Sequence, residues 1–557
     1  MQFRWNHTQG APDYDRETGF GFVTGAVYTA DAGLHIPETN SGFLPLWWYA
    51  GTPISDIRQS EYGLQATAAE ALRTEDAADR RLPVWLRIQV PGEGVYRAEI
   101  TVTGTDGGEV LVFTGRRRLA WRGVLPAGAQ QIVTAYCDVF PIVPRGQADA
   151  VASDAVNIAV VGGALSAVAL AEAPHTRRIW VCGDSTVTDQ TGELPYAPGT
   201  SYAGWGQMLP AYLPEVCITN HAHSGLTTES FLSEGHWAIV KPRLRAGDIC
   251  LFQFGHNDQK LAHLQARGGY TDRLRTYIKE TRTAGAVPVL ITPLARNSWR
   301  DPTHYNDFLA DFADAVLDLG KEEAVPVLDL HAYAMQLIRQ EGLETAKRWF
   351  YPGDYTHTND FGAYRMAGFV AGALGKAVGL PVADPPAWTP APPFAPLIPP
   401  KDCALPAPDT DPFADYDATR PQEVLTRAEA LELAIKALKL FPINVYNDLY
   451  ADIVGHETYA GTVQCAAQND LIPAAWVADG RLYPQRTVTA ADFLAVLMPG
   501  AAGRRPLAAP SPLPDSVPAY ARFAAGQAVA EQLISADSLN DPITRSDAAA
   551  LCRRLHI

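Results

Sequence analysis

Four short polar clusters in this 557-residue chain carry residue types that could do chemistry together. The first is Gly183-Asp184-Ser185, in "VCGDSTVTDQ". The second is "NHAHSGLTTESF", with Gly225 at its centre. The third is "FQFGHNDQK", which supplies Gly255, His256, Asn257 and Asp258. In the fourth, "YPGDYTHTND", Asp354 stands three residues before His357. A serine hydroxyl is a weak nucleophile until a base takes its proton, and an imidazole oriented by a carboxylate is such a base. A glycine N–H and an asparagine carboxamide can receive the negative charge that grows on an attacked carbonyl oxygen. The set could therefore perform acyl transfer. Each piece also has a plainer reading. Ser185 could cap a helix, Gly225 could serve a tight turn, and Asp258 could close an Asx turn. His221 and His223 form an H-x-H that could suggest a metal, but no carboxylate cluster accompanies them.

The elements around these clusters strengthen the first reading. Five apolar runs ("RRIWVCG", "EVCITNHA", "GDICLFQFG", "AVPVLITPL", "AVPVLDL") alternate with helix-length segments such as "YTDRLRTYIKETRTAG" and "THYNDFLADFADAVLDLGKEE". Continuous apolar strands alternating with helices predict a five-stranded parallel sheet covered on both faces. In such sheets the site lies beyond the carboxyl ends of the strands, where the first three clusters fall. The fourth precedes a helix predicted to start near Asn359.

Residues 1–172 read differently. "PVWLRIQV", "GVYRAEITVTG" and "GEVLVFTG" alternate polar and apolar residues between glycine turns, which predicts an all-β sandwich with one wet face per sheet. The aromatic "LPLWWYA" (Leu44 to Ala50) suits either core packing or a sugar platform. Residues 173–380 form the α/β region. From 381 to 421 the chain is proline-dense and predicts an extended linker. Residues 422–557 contain a repeat in which Thr426, Thr489 and Thr544 each precede a short helix with an acidic residue three positions on. That pattern predicts capping boxes and stacked helical units.

Composition narrows the function classes. A net charge of -16 argues against nucleic acid as a partner. No run of about 18 apolar residues is present, so membrane insertion is not expected. Seven scattered cysteines without a C-x-x-C pair suit a reducing compartment, and Cys182 and Cys250 read as buried small residues. The opening residues lack a basic-then-apolar secretory pattern, so a cytoplasmic location is expected, with surface display as the alternative.

The strings "GDSTV", "A-x-S-G-x-T-x-x-SF", "QFGHNDQK" and "D-x-THT" resemble the SGNH (GDSL-like) hydrolases, and within them the rhamnogalacturonan acetylesterase branch of carbohydrate esterases. The resemblance covers about Arg177 to Gly379 and implies a flavodoxin-like central domain. It implies Ser185 as nucleophile, His357 as general base and acid, and Asp354 as its orienting partner. The oxyanion would be held by the N–H groups of Ser185 and Gly225 and by Asn257. Asp184 and His256 are expected to contact substrate, and no cofactor or metal is implied. Many relatives carry Arg after the second-cluster glycine, where this chain has Leu226. The β region is similar to galactose-binding-like sandwiches. The repeats resemble S-layer homology units, implying a cell-wall polymer as a partner, although "TRAE" is intact in the first copy alone. The expected activity is release of acetyl groups from acetylated plant oligo- or polysaccharide, foremost rhamnogalacturonan. The alternatives are an acetylxylan or other short-chain esterase or lipase of the superfamily, and a non-catalytic glycan-binding scaffold.

Overall fold

The computed structural model describes residues 1–23, 27–29, 33–35, 54–68, 82–143, 149–190, 192, 196–261, 263–301, 304–390, 411–438, 440, 449–454, 457–502 and 506–555. The "LPLWWYA" stretch lies outside them. Two compact units emerge: residues 1–258, 264–297 and 308–398 form one, and residues 259–263, 298–307 and 399–557 the other. The β region and the α/β region thus belong to a single unit.

In the first unit the N-terminal strands make two antiparallel sheets. One runs in the order Gln130–Val139, Gly94–Thr103, Ala164–Glu172, Gly63–Ala68, Ile54–Ser60. The other runs Arg118–Val124, Glu109–Thr114, Ala155–Val161, Val84–Gln89, Phe20–Phe22. Leu86, Ile88, Val110 and Val112 of one sheet and Ala98, Ile100 and Val102 of the other share a single apolar cluster. Gly94–Thr103 alternates buried and half-buried residues as a one-sided strand should. The second sheet departs from the expected wet face, because Ala155–Val161 is buried at every position. Its outer side is covered: Trp85 donates its indole N–H to Asn157, and Phe113 packs edge-on against Tyr196 of the α/β region.

The parallel sheet has the order Cys217–Asn220, Arg178–Gly183, Ile249–Gln253, Val287–Ile291, Val327–Leu328. Strand order reverses at Arg178–Gly183, whose neighbours lead away on opposite sides, the point above which sheets of this kind carry a crevice. The strand Arg178–Gly183 is wholly buried, as an internal parallel strand must be. The last predicted run gives only Val327–Leu328, because its ladder covers just Leu290 and Ile291. The helix predicted from "THYNDFL" begins only at Ala310. Its expected start, His304–Tyr305, pairs instead with Trp299–Asp301. Helix Asp360–Val378 starts where predicted: Asn359 caps it by accepting the Gly362 N–H, and Gly379 ends it in the left-handed region at φ +70°.

The proline-dense segment is docked at its described ends. Trp388 is buried against Phe361 and Tyr364, and in the second unit Phe413 and Tyr416 are buried; residues 391–410 lie outside the described ones. In that second unit Thr426 with Glu429 and Thr489 with Asp492 exchange reciprocal side-chain to backbone hydrogen bonds, as the capping boxes predict. At the third turn Asp547 N–H donates to Thr544 Oγ, and that hydroxyl donates to the Asp547 carboxylate. The turns also bridge one another: Thr426 pairs with Thr487, Thr489 with Pro542, and Thr544 with Val424. Each repeat therefore touches both others, which is a closed arrangement rather than an open stack. Among the described residues no helix is long and apolar enough to cross a membrane. Thr544→Ala is expected to weaken helix Arg545–Leu555 by about 1 kcal/mol, seen as faster hydrogen exchange of its amides.

Candidate active site

Gly183 ends the first strand at the crevice, and a Cβ there would stand 2.6 Å from the Gln253 carbonyl oxygen. The chain then folds into a single turn. Val187 and Thr188 N–H both bond the Asp184 carbonyl, while the Asp184 side chain accepts Thr186 N–H and Oγ at 2.9 and 2.8 Å. No regular helix follows Ser185 among the described residues up to Gln190, so the helix-cap reading does not apply. Ser185 is 9% exposed.

The ladder between the first two strands continues past their ends: His221 N–H bonds Val181 O, and His223 N–H bonds Gly183 O at 3.1 Å. This brings the second cluster alongside Ser185. Gly225 is exposed, with φ +89°, a conformation that suits glycine and turns the chain at that point. Its neighbours are tied on both sides. Gln190 Nε2 donates to Ser185 O at 2.8 Å and reaches Ser224 Oγ at 3.5 Å, while Asn257 Nδ2 donates to Leu226 O at 3.1 Å. Asp258 locks the third cluster to the second by accepting Thr228 N–H and Oγ at 2.7 and 2.6 Å, and Gly255 N–H at 3.0 Å. Its burial pushes the carboxyl up to about 6 in spite of these donors.

The fourth cluster brings an imidazole to Ser185. His357 Nε2 lies 2.8 Å from Ser185 Oγ, and Nδ1 lies 2.8 Å from Asp354 Oδ2. Asp354 Oδ1 accepts the N–H groups of Thr356 and His357 at 2.7 and 2.9 Å, which folds the D-x-x-H back on itself. Burial raises the Asp354 carboxyl, but the His357 ring and these two N–H donors outweigh it and hold it below the usual range. An ionised carboxylate only accepts, so Nδ1 carries the proton and Nε2 is the acceptor facing the serine. In this arrangement the imidazole can take the Ser185 proton. The Tyr202 ring stands edge-on to His357 at 5.7 Å and stacks on Tyr351, closing one side.

Two expectations need correction. Asp184 and His256 do not line the crevice for substrate; they are 0% and 2% exposed and hold each other at 3.2 Å. The second His256 nitrogen is 2.8 Å from Leu294 O. Burial pushes the Asp184 carboxyl up, and the His256 ring with the Thr186 donors brings it below the ordinary value. They brace the serine turn. Leu226 is buried in the core beside Phe231 and does not face the crevice. His221 packs against Trp180, its pKa lowered by burial, and no group of three or more metal-ligating side chains occurs among the described residues. Reasoning from sequence missed Gln190, Thr228 and Tyr202. Gln190 closes the very stretch that carries the serine, which was its one visible signal.

The sequence profile of the GDSL-like lipase/acylhydrolase family matches residues 181–365. The rhamnogalacturonan acetylesterase RhgT of Bacillus subtilis is 33% identical over 222 residues, covering 37% of this chain and 93% of that protein. The chain belongs to the GDSL-like lipase/acylhydrolase family. It is a carboxylic ester hydrolase. A second member, the rhamnogalacturonan acetylesterase of Emericella nidulans, is 26% identical over 239 residues, with 39% and 90% coverage of the two chains. The uncharacterized esterase YxiM of Bacillus subtilis is 25% identical over 368 residues, 64% of this chain and 82% of that one. The crystal structure of YxiM superposes with a TM-score of 0.36 at 21% identity, over 68% and 98% of the two chains.

Two outcomes are expected from the site's electrostatics. Asp354→Asn leaves the backbone turn intact but frees the ring tautomer, and kcat should fall about 10³-fold or more with KM little changed. Asp258 titrates higher folded than unfolded, so its stabilisation is full below the unfolded carboxylate range and is lost as pH rises through about 6. In urea unfolding, the stability of wild type relative to Asp258→Asn should therefore drop by about 2 kcal/mol between pH 4 and pH 7. A difference that is flat with pH would contradict this.

Proposed function

We propose that this enzyme is a serine esterase that removes O-acetyl groups from acetylated plant cell-wall polysaccharide or oligosaccharide, with rhamnogalacturonan as its first candidate substrate. The observation that carries the proposal is the continuous hydrogen-bond chain from Ser185 through His357 to Asp354. In the proposed cycle, Ser185 Oγ attacks the acetyl carbonyl carbon as His357 Nε2 takes its proton. The oxyanion is received by the N–H groups of Ser185 and Gly225 and by the Asn257 carboxamide. Collapse breaks the bond to the sugar oxygen, which leaves with the proton held by His357. Water, deprotonated by His357, then attacks the acetyl-enzyme carbonyl, and collapse breaks the bond to Ser185 Oγ, which takes the proton back from His357 as acetate leaves. Asp354 keeps the ring in the required tautomer and stabilises the imidazolium that forms.

The carbohydrate part of the proposal is supported by the names of the relatives that match the α/β region over nearly their whole lengths. For the flanking regions, the two facing antiparallel sheets support a galactose-binding-like sandwich at residues 1–172, and the threonine-led turns support S-layer-like repeats at 422–557, for which a wall polymer is the partner only under surface display. We place the enzyme in the cytoplasm, acting on imported oligosaccharides; fractionation of the producing cells distinguishes this from surface display.

Ser185→Ala is expected to abolish acetate release across a panel of acetylated glycans while the far-UV spectrum stays unchanged. Undiminished release by that variant would remove Ser185 from the mechanism. A series of nitrophenyl esters should peak at acetyl, and a peak at eight carbons or longer would point to lipids instead.

A further inference from the structure

Three consecutive arginines, Arg116, Arg117 and Arg118, sit at the tip of the N-terminal hairpin formed by Glu109–Thr114 and Arg118–Val124. Such a run belongs on a wet surface, because an unpaired buried cation is very costly. Here the residues are 6%, 0% and 6% exposed. The tip enters the α/β region beneath the serine turn, and each guanidinium meets acids and carbonyls of that region.

Arg117 makes the most telling contacts. Its Nη1 pairs with Asp360 Oδ1 at 2.6 Å, with both side chains 0% exposed. Asp360 is the first residue of helix Asp360–Val378, three positions after His357. The same guanidinium donates through Nε to Gln190 O at 3.2 Å and through Nη2 to Tyr202 O. Gln190 is the residue whose side chain holds the Ser185 carbonyl, and Tyr202 is the ring set against His357. One planar group thus grips the serine segment and the histidine segment, which are 172 residues apart. On either side, Arg116 and Arg118 supply the ion pairs of buried Asp189, at 3.1 and 3.6 Å, four residues beyond Ser185. Among the described residues, the ion pairs of Asp189 and Asp360 all come from this hairpin tip.

We propose that Arg117 is a positioning residue for the reaction: the N-terminal β region completes the active site by fixing the distance between Ser185 and His357 through Gln190, Tyr202 and Asp360. The proposal rests on the Ser185–His357 reading above. Arginine suits the task because its fork reaches three acceptors in one plane, whereas a lysine ammonium at the same site keeps the charge but not the span. The hairpin contributes no reacting atom. It sets the geometry in which the proton moves, where a misplacement of about 1 Å can cost about 10²-fold.

The test uses the full-length chain with nitrophenyl acetate and, separately, a fluorophosphonate that labels an activated serine. Ser185→Ala comes first: residual turnover or labelling in it shows that the serine reading has failed, independently of Arg117. With that reading intact, Arg117→Lys keeps the countercharge of Asp360 and is expected to fold, with a lowered melting temperature. Its kcat and its labelling rate should both fall by about 10²-fold, with KM within twofold and a shifted acid limb of the pH profile. If that variant does not fold, Arg117→Met/Asp360→Asn removes both charges and is expected to show the same kcat loss at unchanged KM. A folded variant whose kcat and labelling rate lie within threefold of wild type overturns the proposal. Failure of both to fold also overturns it, because the tip would then serve stability alone.

Discussion

A hydrogen bond of 2.8 Å between two side chains 172 positions apart is the constraint on which this molecule turns. It tolerates an error of a few tenths of an ångström, yet its partners arrive on different elements. Ser185 comes from a turn anchored to the end of a central strand, and His357 from a loop anchored to a helix start. The parallel sheet solves half of the problem by bringing strand ends to one crevice. The other half is the local bracing that keeps a turn and a loop from drifting. Asp184 with His256, Asp258 with Thr228, and Asn257 with Leu226 are all short polar links between neighbouring clusters.

The bracing is costly in itself. Asp184, Asp189, Asp258 and Asp360 are all nearly or fully buried, and each buried carboxylate carries a desolvation penalty that only good partners offset. Their partners differ in kind. Asp258 relies on neutral donors and sits at a raised pKa. Asp189 and Asp360 have cations, but cations brought by a hairpin from elsewhere in the chain. Stability and catalytic geometry are therefore drawn from the same contacts, and a change to one reaches the other.

How much of this could be read from the residues depended on the range of the interaction. The parallel strands were legible because each is a continuous apolar run bounded by polar turns. The D-x-x-H was legible because both members lie on one short loop. The capping boxes were legible for the same reason, with partners three residues apart. The roles of Asp184 and His256 were misread, since polar residues after a strand can face a substrate or one another, and only their burial decides. The helix that Ser185 could have capped is a lone turn closed on the Asp184 carbonyl and side chain. The arginine run was invisible as a core feature. Its acids lie twenty, some seventy and some two hundred and forty residues downstream, and nothing local marks a charged run as buried.

The cyclic bridging of the three threonine-led turns sets a rule for how the C-terminal unit can vary over generations. An open array has free ends, so a duplication or deletion of one repeat leaves a shorter or longer array that still folds. A ring of three has no ends at which to add or trim. Loss of any one copy would strip both survivors of a neighbour, whereas a change of letters within a copy leaves the backbone bridges in place. The signatures "TRAE", "TAAD" and "TRSD" differ from one another, and all keep the threonine and the acid that close the turn.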